Sequence, residues 1–246
     1  MPHHLGDLRT DARTCVITGD PDRVPALAES VGLTGPVWRR RGYVCVEAQY
    51  QGEPVLVASS GIGGPTMAIA AEELWQVGVR RLIRVGTCGS MRKDVHAGDI
   101  VISTGAVRDD GTSAQYLPLS IPANPDPVLL GGILAAARRA SVAHHLGLTH
   151  CKDAYYAERP EGLPLAAEWA GRWAMLRSVG VLATEMEAGA LFAVAMVRGF
   201  RAAALLVAVD GTLPATDLFA TLGTATRLAL DGALATARDE VIKAVR

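Results

Sequence analysis

Cysteine, lysine and aromatic residues are all scarce in this chain of 246 residues. The four cysteines are far apart and form no Cys-x-x-Cys pair, which argues against a disulfide framework and a zinc site. The longest apolar run, Ala202–Val209, is far shorter than the roughly 20 residues of a membrane-spanning helix. The N-terminus shows no charged-then-apolar signal pattern. We therefore expect a soluble, cytoplasmic protein with reduced cysteines and no metal site.

Excess charge is also lacking, since 24 basic residues face 25 acidic ones. A net charge near zero argues against a nucleic-acid or membrane partner. Lysine occurs only at Lys93, Lys152 and Lys243, so the basic residues are nearly all arginines. Such a bias can reflect the genome alone, and only the positions of the arginines carry information.

Short apolar runs alternate with longer helical patterns along the chain, which predicts an α/β protein with a parallel or mixed sheet covered by helices on both faces. We treat residues 1–246 as a single domain. The predicted strands are Thr14–Thr18, Val44–Tyr50, Pro54–Ser59, Arg81–Val85, Asp99–Thr104, His145–Cys151, Gly180–Ala183 and Ala202–Val209. The predicted helices are Asp22–Ser30, Pro65–Val77, Pro127–Ser141, Leu165–Ser178, Glu185–Arg198 and Leu218–Val245.

Three arginines lie within or beside glycine-containing stretches. Arg23 follows the first predicted strand in Gly19-Asp20-Pro21-Asp22-Arg23, and Arg41 precedes Gly42. Arg84 interrupts an otherwise apolar strand, where a charge is costly unless an anion meets it. Because a guanidinium matches the geometry of phosphate and carboxylate, these positions predict an anion site, with phosphate as the expected ligand.

Two glycine-rich stretches, Gly61–Thr66 and Gly86–Ser90, come directly after predicted strands. Backbone N–H groups in such turns can bind anions next to a helix N-terminus. Neither stretch matches a Walker loop or a dinucleotide-binding fingerprint. The alternative is that both are simple tight turns, although Arg84 beside the second stretch favours the anion site.

The segment Thr184-Glu185-Met186-Glu187 opens a predicted helix. Thr184 with Glu187 fits a capping box, which is the favoured interpretation from these residues alone. In the alternative, the two oxygens of an ionised Glu187 bind both hydroxyls of a vicinal diol.

Other candidate residues also have structural alternatives. Asp210 ends an apolar strand, where partial burial would raise its pKa and make it a proton donor, but Asp-Gly is also a common turn. Tyr155 and Tyr156 are able to stack on a heterocycle or to pack ordinarily. His4 is by default part of a loose terminus.

Taken in order, these segments resemble the hexameric nucleoside phosphorylase family, which includes uridine phosphorylases and purine nucleoside phosphorylases. The resemblance extends from His4 to about Asp210. It rests on residues 19–24, 61–65 with 72–74, 84–89, 107–111 and 185–187.

The resemblance implies a three-layer α/β/α sandwich with a central mixed sheet, and phosphorolysis of a nucleoside to a free base and ribose 1-phosphate. It implies no cofactor, since inorganic phosphate is the co-substrate. It also implies homodimers with shared active sites, assembled into hexamers as trimers of dimers. The implied phosphate ligands are Gly19, Arg23, Arg84 and Thr87, with Arg41 from a neighbouring subunit. The implied ribose ligands are Met186, Glu187 and a neighbour's His4. The implied base-site residues are Cys88, Gly89, Tyr155, Tyr156 and Asp210. Arg84, Glu187 and Asp210 would then be catalytic.

The base is ambiguous within this family. The glutamine–arginine pair of uridine phosphorylases is absent in register, because the chain has Ala157-Glu158-Arg159-Pro160-Glu161-Gly162 there. Residues 153–156 and 209–211 resemble purine enzymes instead, so we expect a purine nucleoside, with uridine as the alternative. A nucleosidase using water and a non-catalytic nucleoside-binding protein are the remaining alternatives. The presence of Arg23, Arg41 and Arg84 argues against the first, and that of Glu187 and Asp210 against the second.

Overall fold

The centre of the protein is one nine-stranded mixed sheet. The computed structural model describes residues 2–244, with side-chain surroundings given through residue 237, so the predicted helix end at Val245 lies outside the described residues. The strands are β1 Thr14–Thr18, β2 Val37–Arg40, β3 Tyr43–Tyr50, β4 Glu53–Ser59, β5 Arg81–Ser90, β6 Ile100–Asp109, β7 His145–Lys152, β8 Ala183–Glu185 and β9 Arg201–Val209. Their order in the sheet is β2-β3-β4-β1-β5-β8-β7-β6-β9.

Within the described residues, seven α-helices and one short 3-10 helix accompany these strands. The α-helices are α1 Arg23–Ser30, α2 Gly64–Gln76, α3 Gly111–Tyr116, α4 Pro127–Arg139, α5 Ala166–Ser178, α6 Ala188–Arg198 and α7 Ala215–Ala244. The 3-10 helix spans Tyr155–Glu158. Pro65 lies in the first turn of α2, and Gly78 follows its end with a positive φ of 111°, as expected for helix start and stop residues. None of the helices in the described part of the chain has the length and apolarity that crossing a membrane requires.

Alternating side chains divide the core into two layers, one on each face of the sheet. In β1, Val16 packs with α1, α4 and α7, whereas Cys15 and Ile17 pack with α2 and α6. This period of two is that of a strand buried on both sides. The predicted mixed α/β fold with a central mixed sheet is therefore confirmed, and helices cover both faces. The single-domain boundary stays a prediction.

Part of the sheet closes on itself, which the sequence did not predict. β5 pairs with β8 and also with β9, and the pairs β8–β7, β7–β6 and β6–β9 complete a circuit of five strands. A separate apolar cluster lies within this circuit, including Cys88, Val101 and Leu206. The circuit places the ends of β5, β8 and β9 close to one another.

Three local predictions are wrong. The stretch Gly86–Ser90 is not a turn, because β5 continues through it and pairs with β9 as far as Gly89. Glu185 ends strand β8 instead of opening the following helix. The predicted strand Gly180–Ala183 is displaced, because β8 spans Ala183–Glu185. β2 and α3 have no counterpart among the predicted elements.

Candidate active site

Arg84 is the centre of the site. It lies in the middle of β5 on the same face as Leu82, which packs with α2 and α6. Only 3% of its surface is exposed. Its Nε donates to Glu185 Oε2 at 2.9 Å, and its Nη2 lies 2.5 Å from Glu187 Oε2. Burial alone would lower the pKa of Arg84, but the Glu187 and Glu185 carboxylates raise it. The predicted anionic partner of this arginine is therefore present within the chain itself as two carboxylates.

Gly86, two residues after Arg84, is a glycine for a steric reason. A Cβ atom built on Gly86 would lie 2.7 to 2.9 Å from the Arg84 guanidinium atoms. Any larger residue at this position would push the guanidinium away from its carboxylates. Glycine is needed here for close approach, and not for a turn.

Glu185 and Glu187 flank the start of α6. The Glu185 carboxylate accepts the backbone N–H groups of Glu187 and Ala188, so it satisfies donors that a helix N-terminus leaves unpaired. The predicted capping box of Thr184 and Glu187 is wrong, because Thr184 lies in β8 and Glu187 makes no side-chain cap bond. Burial raises the pKa of the Glu187 carboxyl and so does Glu185, whereas Arg84 opposes this shift.

The first glycine-rich turn contacts the same carboxylate. The Gly63 N–H donates to Glu187 Oε1 at 2.6 Å, and Gly63 has a φ of 93° that glycine adopts without strain. The loop after β1 lies beside this turn, since a Cβ on Gly19 would be 3.4 Å from the Gly61 carbonyl oxygen. Arg23, the first residue of α1 after that loop, is half-buried, with its Nε 3.3 Å from Asp20 Oδ2. The structure therefore brings Gly19, the glycine turn, Glu187 and Arg84 together, and Thr87 lies half-buried further along β5.

Arg41 and His4 form a separate pair. Arg41 Nη1 lies 3.4 Å from His4 Nδ1, and both side chains are exposed or partly so. Glu73 in α2 fixes the terminal segment, because its carboxylate accepts the backbone N–H groups of His3, His4 and Leu5. His4 is therefore not part of a loose terminus. Among the hydrogen bonds and ion pairs of residues 2–237, none joins His4 or Arg41 to Arg84 or Glu187.

The predicted base-site residues lie near the ends of β5, β8 and β9. Gly89 pairs with Thr184 in β8 and with Val209 in β9. Asp210 is the residue directly after Val209, so it lies close to Gly89 along the sheet. Cys88 is buried, which raises the pKa of its thiol. Met186 is half-buried at the junction of β8 and α6.

Asp210 does not have the raised pKa expected of it. It is exposed, and its carboxylate accepts the side-chain hydroxyl and the backbone N–H of Thr212. These hydrogen bonds lower the pKa of Asp210, the one from the Thr212 hydroxyl more than the one from the Thr212 N–H. The expectation from partial burial is therefore wrong, while the role of Asp210 in catalysis stays a prediction.

Several polar residues next to the base-site candidates were missed. Lys152 ends β7, is 3% exposed, forms an ion pair with Glu158 and donates to Thr184 Oγ1 at 3.0 Å. His150 is fully buried on the same strand. A lysine at the end of an apolar strand, in a chain with three lysines, was the signal available for Lys152. Tyr155 and Tyr156 remain largely exposed, with ring centroids 5.3 Å apart in an edge-to-face arrangement.

Comparison with known proteins decides the family. A sequence profile described as the phosphorylase superfamily matches residues 13–239. The chain belongs to the phosphorylase superfamily. A uridine phosphorylase of Treponema pallidum is 38% identical over 209 residues, covering 84% of this chain and 81% of that protein. A guanosine phosphorylase of Halorubrum lacusprofundi is 37% identical over 215 residues, covering 87% and 85%.

A solved phosphorylase structure agrees with the fold. The crystal structure of uridine phosphorylase from Vibrio fischeri, complexed with 6-hydroxy-1-naphthoic acid, matches with a TM-score of 0.80. It is 28% identical, and the match covers 91% of each chain. This superfamily assignment and the buried arginine–carboxylate cluster are the two findings on which the function depends.

Proposed function

We propose that this protein is a nucleoside phosphorylase, a pentosyltransferase that cleaves a nucleoside with inorganic phosphate to give a free base and ribose 1-phosphate. The observation that carries the proposal is the buried Arg84, held by Glu185 and Glu187 beside the Gly61–Gly64 turn. A buried guanidinium next to a backbone N–H donor is suited to an oxyanion of phosphate. The residues need no cofactor for this chemistry, since phosphate is the co-substrate.

In this proposal one set of residues binds phosphate and another binds the sugar. Arg84, Arg23, Thr87 and the Gly19 backbone hold phosphate, and Glu187 with Met186 holds the ribose hydroxyls. A phosphate oxygen attacks C1′ as the C1′–N bond breaks, and the electron pair of that bond leaves with the base. Positive charge develops on the sugar, as in glycoside hydrolysis, so phosphate and Glu187 stabilise the transition state electrostatically.

Uridine is the first candidate substrate and a purine nucleoside the second. Purine was expected from the sequence, but several similar proteins are uridine phosphorylases and one is a guanosine phosphorylase.

The active site of one subunit is completed by another in this proposal. The resemblance to hexameric nucleoside phosphorylases implies that Arg41 and His4 serve a neighbouring copy, and the two side chains lie together, with Arg41 Nη1 3.4 Å from His4 Nδ1. This supports a homodimer with shared sites, and by extension a hexamer built from three dimers in the cytoplasm.

The proposal is tested by base release from uridine, guanosine, inosine and adenosine, each with and without phosphate. We expect release of uracil or of a purine only when phosphate is present, with ribose 1-phosphate as the second product. Release of free ribose without phosphate would instead indicate a nucleosidase. Binding of nucleosides without any turnover would indicate a non-catalytic binding protein.

A further inference from the structure

Lys152 is a buried cation that phosphate chemistry does not explain. Its ammonium group is ion-paired with Glu158 Oε1 and donates to Thr184 Oγ1. Burial of a lysine is costly unless its charge is compensated. Glu158 is 31% exposed, and within the described residues its Oε2 has no hydrogen-bond partner. The pair therefore has one buried donor group and one accessible acceptor oxygen.

A one-way chain of hydrogen bonds fixes the position of this ammonium group. Lysine only donates, so Thr184 Oγ1 accepts from Lys152 and its own proton is directed to His150 Nδ1, 3.1 Å away. His150 Nε2 then donates to Asp109 Oδ2 at 2.8 Å, and Arg172 forms an ion pair with Asp109. Burial and the positive charge of Lys152 lower the pKa of His150 to about 4, which keeps the ring neutral and this direction of donation intact.

The same ammonium group lies among the base-site candidates. Thr184 pairs with Gly89 of β5, and the centroid of the Tyr155 ring is 5.9 Å from Lys152 Nζ. An ammonium has three protons, and within the described residues two of them have acceptors. Lys152 Nζ also lies 5.9 Å from the centroid of the Trp173 ring. The third proton and Glu158 Oε2 therefore supply one donor and one acceptor beside aromatic residues.

We infer that Lys152 and Glu158 bind the nucleobase through its lactam edge, that is, an adjacent ring carbonyl and ring N–H. This rests on the proposed function of the site. Lys152 donates to the carbonyl oxygen, and Glu158 accepts the ring N–H. The atoms are O4 and N3–H in uracil, or O6 and N1–H in guanine and hypoxanthine. Both candidate substrates therefore satisfy one pair of residues.

Adenine and cytosine do not fit the pair. Each presents an amino donor beside an unprotonated ring nitrogen, so donor would face donor and acceptor would face acceptor. A site that leaves buried polar groups unpaired rejects the wrong ligand strongly, by at least about a hundredfold in kcat/KM. The structure therefore assigns the selection of oxo over amino bases to Lys152 and Glu158.

The experiment compares each lactam substrate with its N-methyl analogue, which lacks the ring N–H. The pairs are uridine with 3-methyluridine and inosine with 1-methylinosine. Kinetics are measured with phosphate, and binding of uracil, 3-methyluracil, hypoxanthine and adenine is measured by calorimetry. Native enzyme is compared with Glu158→Ala, and with Glu161→Ala as a control at an exposed carboxylate in the same segment.

For native enzyme and Glu161→Ala, we expect methylation to lower kcat/KM and base affinity at least about a hundredfold. In Glu158→Ala, kcat/KM should fall for the parent substrate but not for its methyl analogue. The ratio of the two kcat/KM values should therefore shrink at least tenfold. An unchanged ratio in Glu158→Ala would overturn the inference, as would native enzyme that cleaves or binds the amino bases as well as the oxo bases.

Lys152 is tested by Lys152→Met, with Lys93→Met as a control at an exposed lysine. We expect Lys152→Met to reduce the preference for inosine over adenosine at least tenfold. Should it fail to fold, Glu158→Ala decides alone. Absence of turnover in native enzyme would refute the phosphorylase proposal, whereas the calorimetric comparison of the free bases still confirms or overturns the lactam assignment.

Discussion

Arg84 and Arg23 belong to the same predicted phosphate site but differ in what they do for stability. Arg84→Met leaves two buried carboxylates without their cation, which costs about 3–5 kcal/mol of unfolding free energy. Arg23→Met breaks a partly exposed pair with Asp20 and costs under about 1 kcal/mol. Both changes should raise the KM for phosphate. Denaturant unfolding and phosphate kinetics on both variants check this, and equal stabilities would contradict the burial argument.

The proposed phosphate site predicts that Glu187 competes with phosphate for Arg84. One guanidinium faces two carboxylates here, so removing one negative charge should strengthen the attraction of Arg84 for phosphate. We expect Glu187→Gln to bind phosphate severalfold more tightly, while kcat falls at least tenfold because a ribose ligand is weakened. Phosphate binding is measured by calorimetry. Weaker binding in the variant would show that Glu187 orients Arg84 rather than competing for it.

The sequence located this residue cluster but not its internal pairing. An arginine inside an apolar strand indicated a buried anion, and the segment 184–187 supplied candidate carboxylates. That the two meet depends on the place of β8 next to β5, which is a tertiary property. Glu185 had no assigned partner in the sequence for the same reason.

At the scale of elements, β6, β7, β8 and α5 are joined through the neutral His150. Its ordinary pKa is near 6.5, and burial and Lys152 lower it to about 4 in the folded chain. Between these two pH values the unfolded chain binds a proton that the folded chain does not. The contribution of His150 to the free energy of unfolding is thus fully present above about pH 6.5 and is lost as the pH falls towards 4. At about 1.4 kcal/mol per pH unit, the loss amounts to about 3 kcal/mol.

This decline is measured by chemical unfolding at several pH values between 7 and about 4. The His150→Gln variant should lack the part of the pH dependence that comes from His150, although it is less stable at neutral pH. His96→Gln, at an exposed position, serves as the control and should retain the native pH dependence. Identical pH dependence in native protein and His150→Gln would rule out a depressed histidine pKa.

The N-terminal segment depends on a single side chain of α2. Glu73 accepts the N–H groups of His3, His4 and Leu5, while its neighbour Glu72 pairs with Arg198. We expect Glu73→Ala to raise the rates of amide exchange and proteolysis in residues 2–6 at least tenfold, because the backbone N–H donors of this segment lose their acceptor. Glu72→Ala should leave this segment protected. Equal protection in the two variants would show that packing of Leu5 alone holds the segment.

Most elements could be predicted because apolar runs and helix start and stop residues are local signals. β2 could not, since its four residues are mostly exposed and two of them are arginines. α3 lies in a segment rich in proline, and its capping aspartate Asp110 accepts the Ser113 N–H. Gly86 and Gly89 suggested a turn, but both lie in a continuous strand, where the small size of Gly86 serves the approach of Arg84 and Gly89 lies against Thr184.

Across the assembly, the proposed sharing of active sites predicts that Arg41 of one subunit acts in the site of its neighbour. An Arg41→Ala protein and an Arg84→Ala protein should each be nearly inactive. After both are unfolded, mixed in equal amounts and refolded, about a quarter of native activity should return, because hybrid dimers contain one intact site in two. Activity is measured before and after mixing. No recovery on mixing, with hybrids demonstrated by mass spectrometry, would show that each subunit uses its own Arg41.

The overall architecture was predictable as layers but not as a closed circuit. Alternating elements predict helices on both faces of a sheet, and that is confirmed. The pairing of β5 with β8 uses Gly89 and Ser90 at the end of β5. The predicted strand ended at Val85 and so did not include these residues.

Closure at one end of the sheet leaves β2 as its outer strand at the other end. An outer strand has unpaired N–H and C=O groups that can recruit a strand from another molecule and start aggregation. Arg39 and Arg40 lie on this strand and Arg41 follows it, all of them exposed. Two copies approaching along this strand would bring six arginines together, although Arg40 of each copy lies 3.7 Å from Asp7 Oδ1. We expect the arginine run to disfavour pairing of β2 with a strand of another molecule, so neutral substitutions there should lower solubility before they alter the fold.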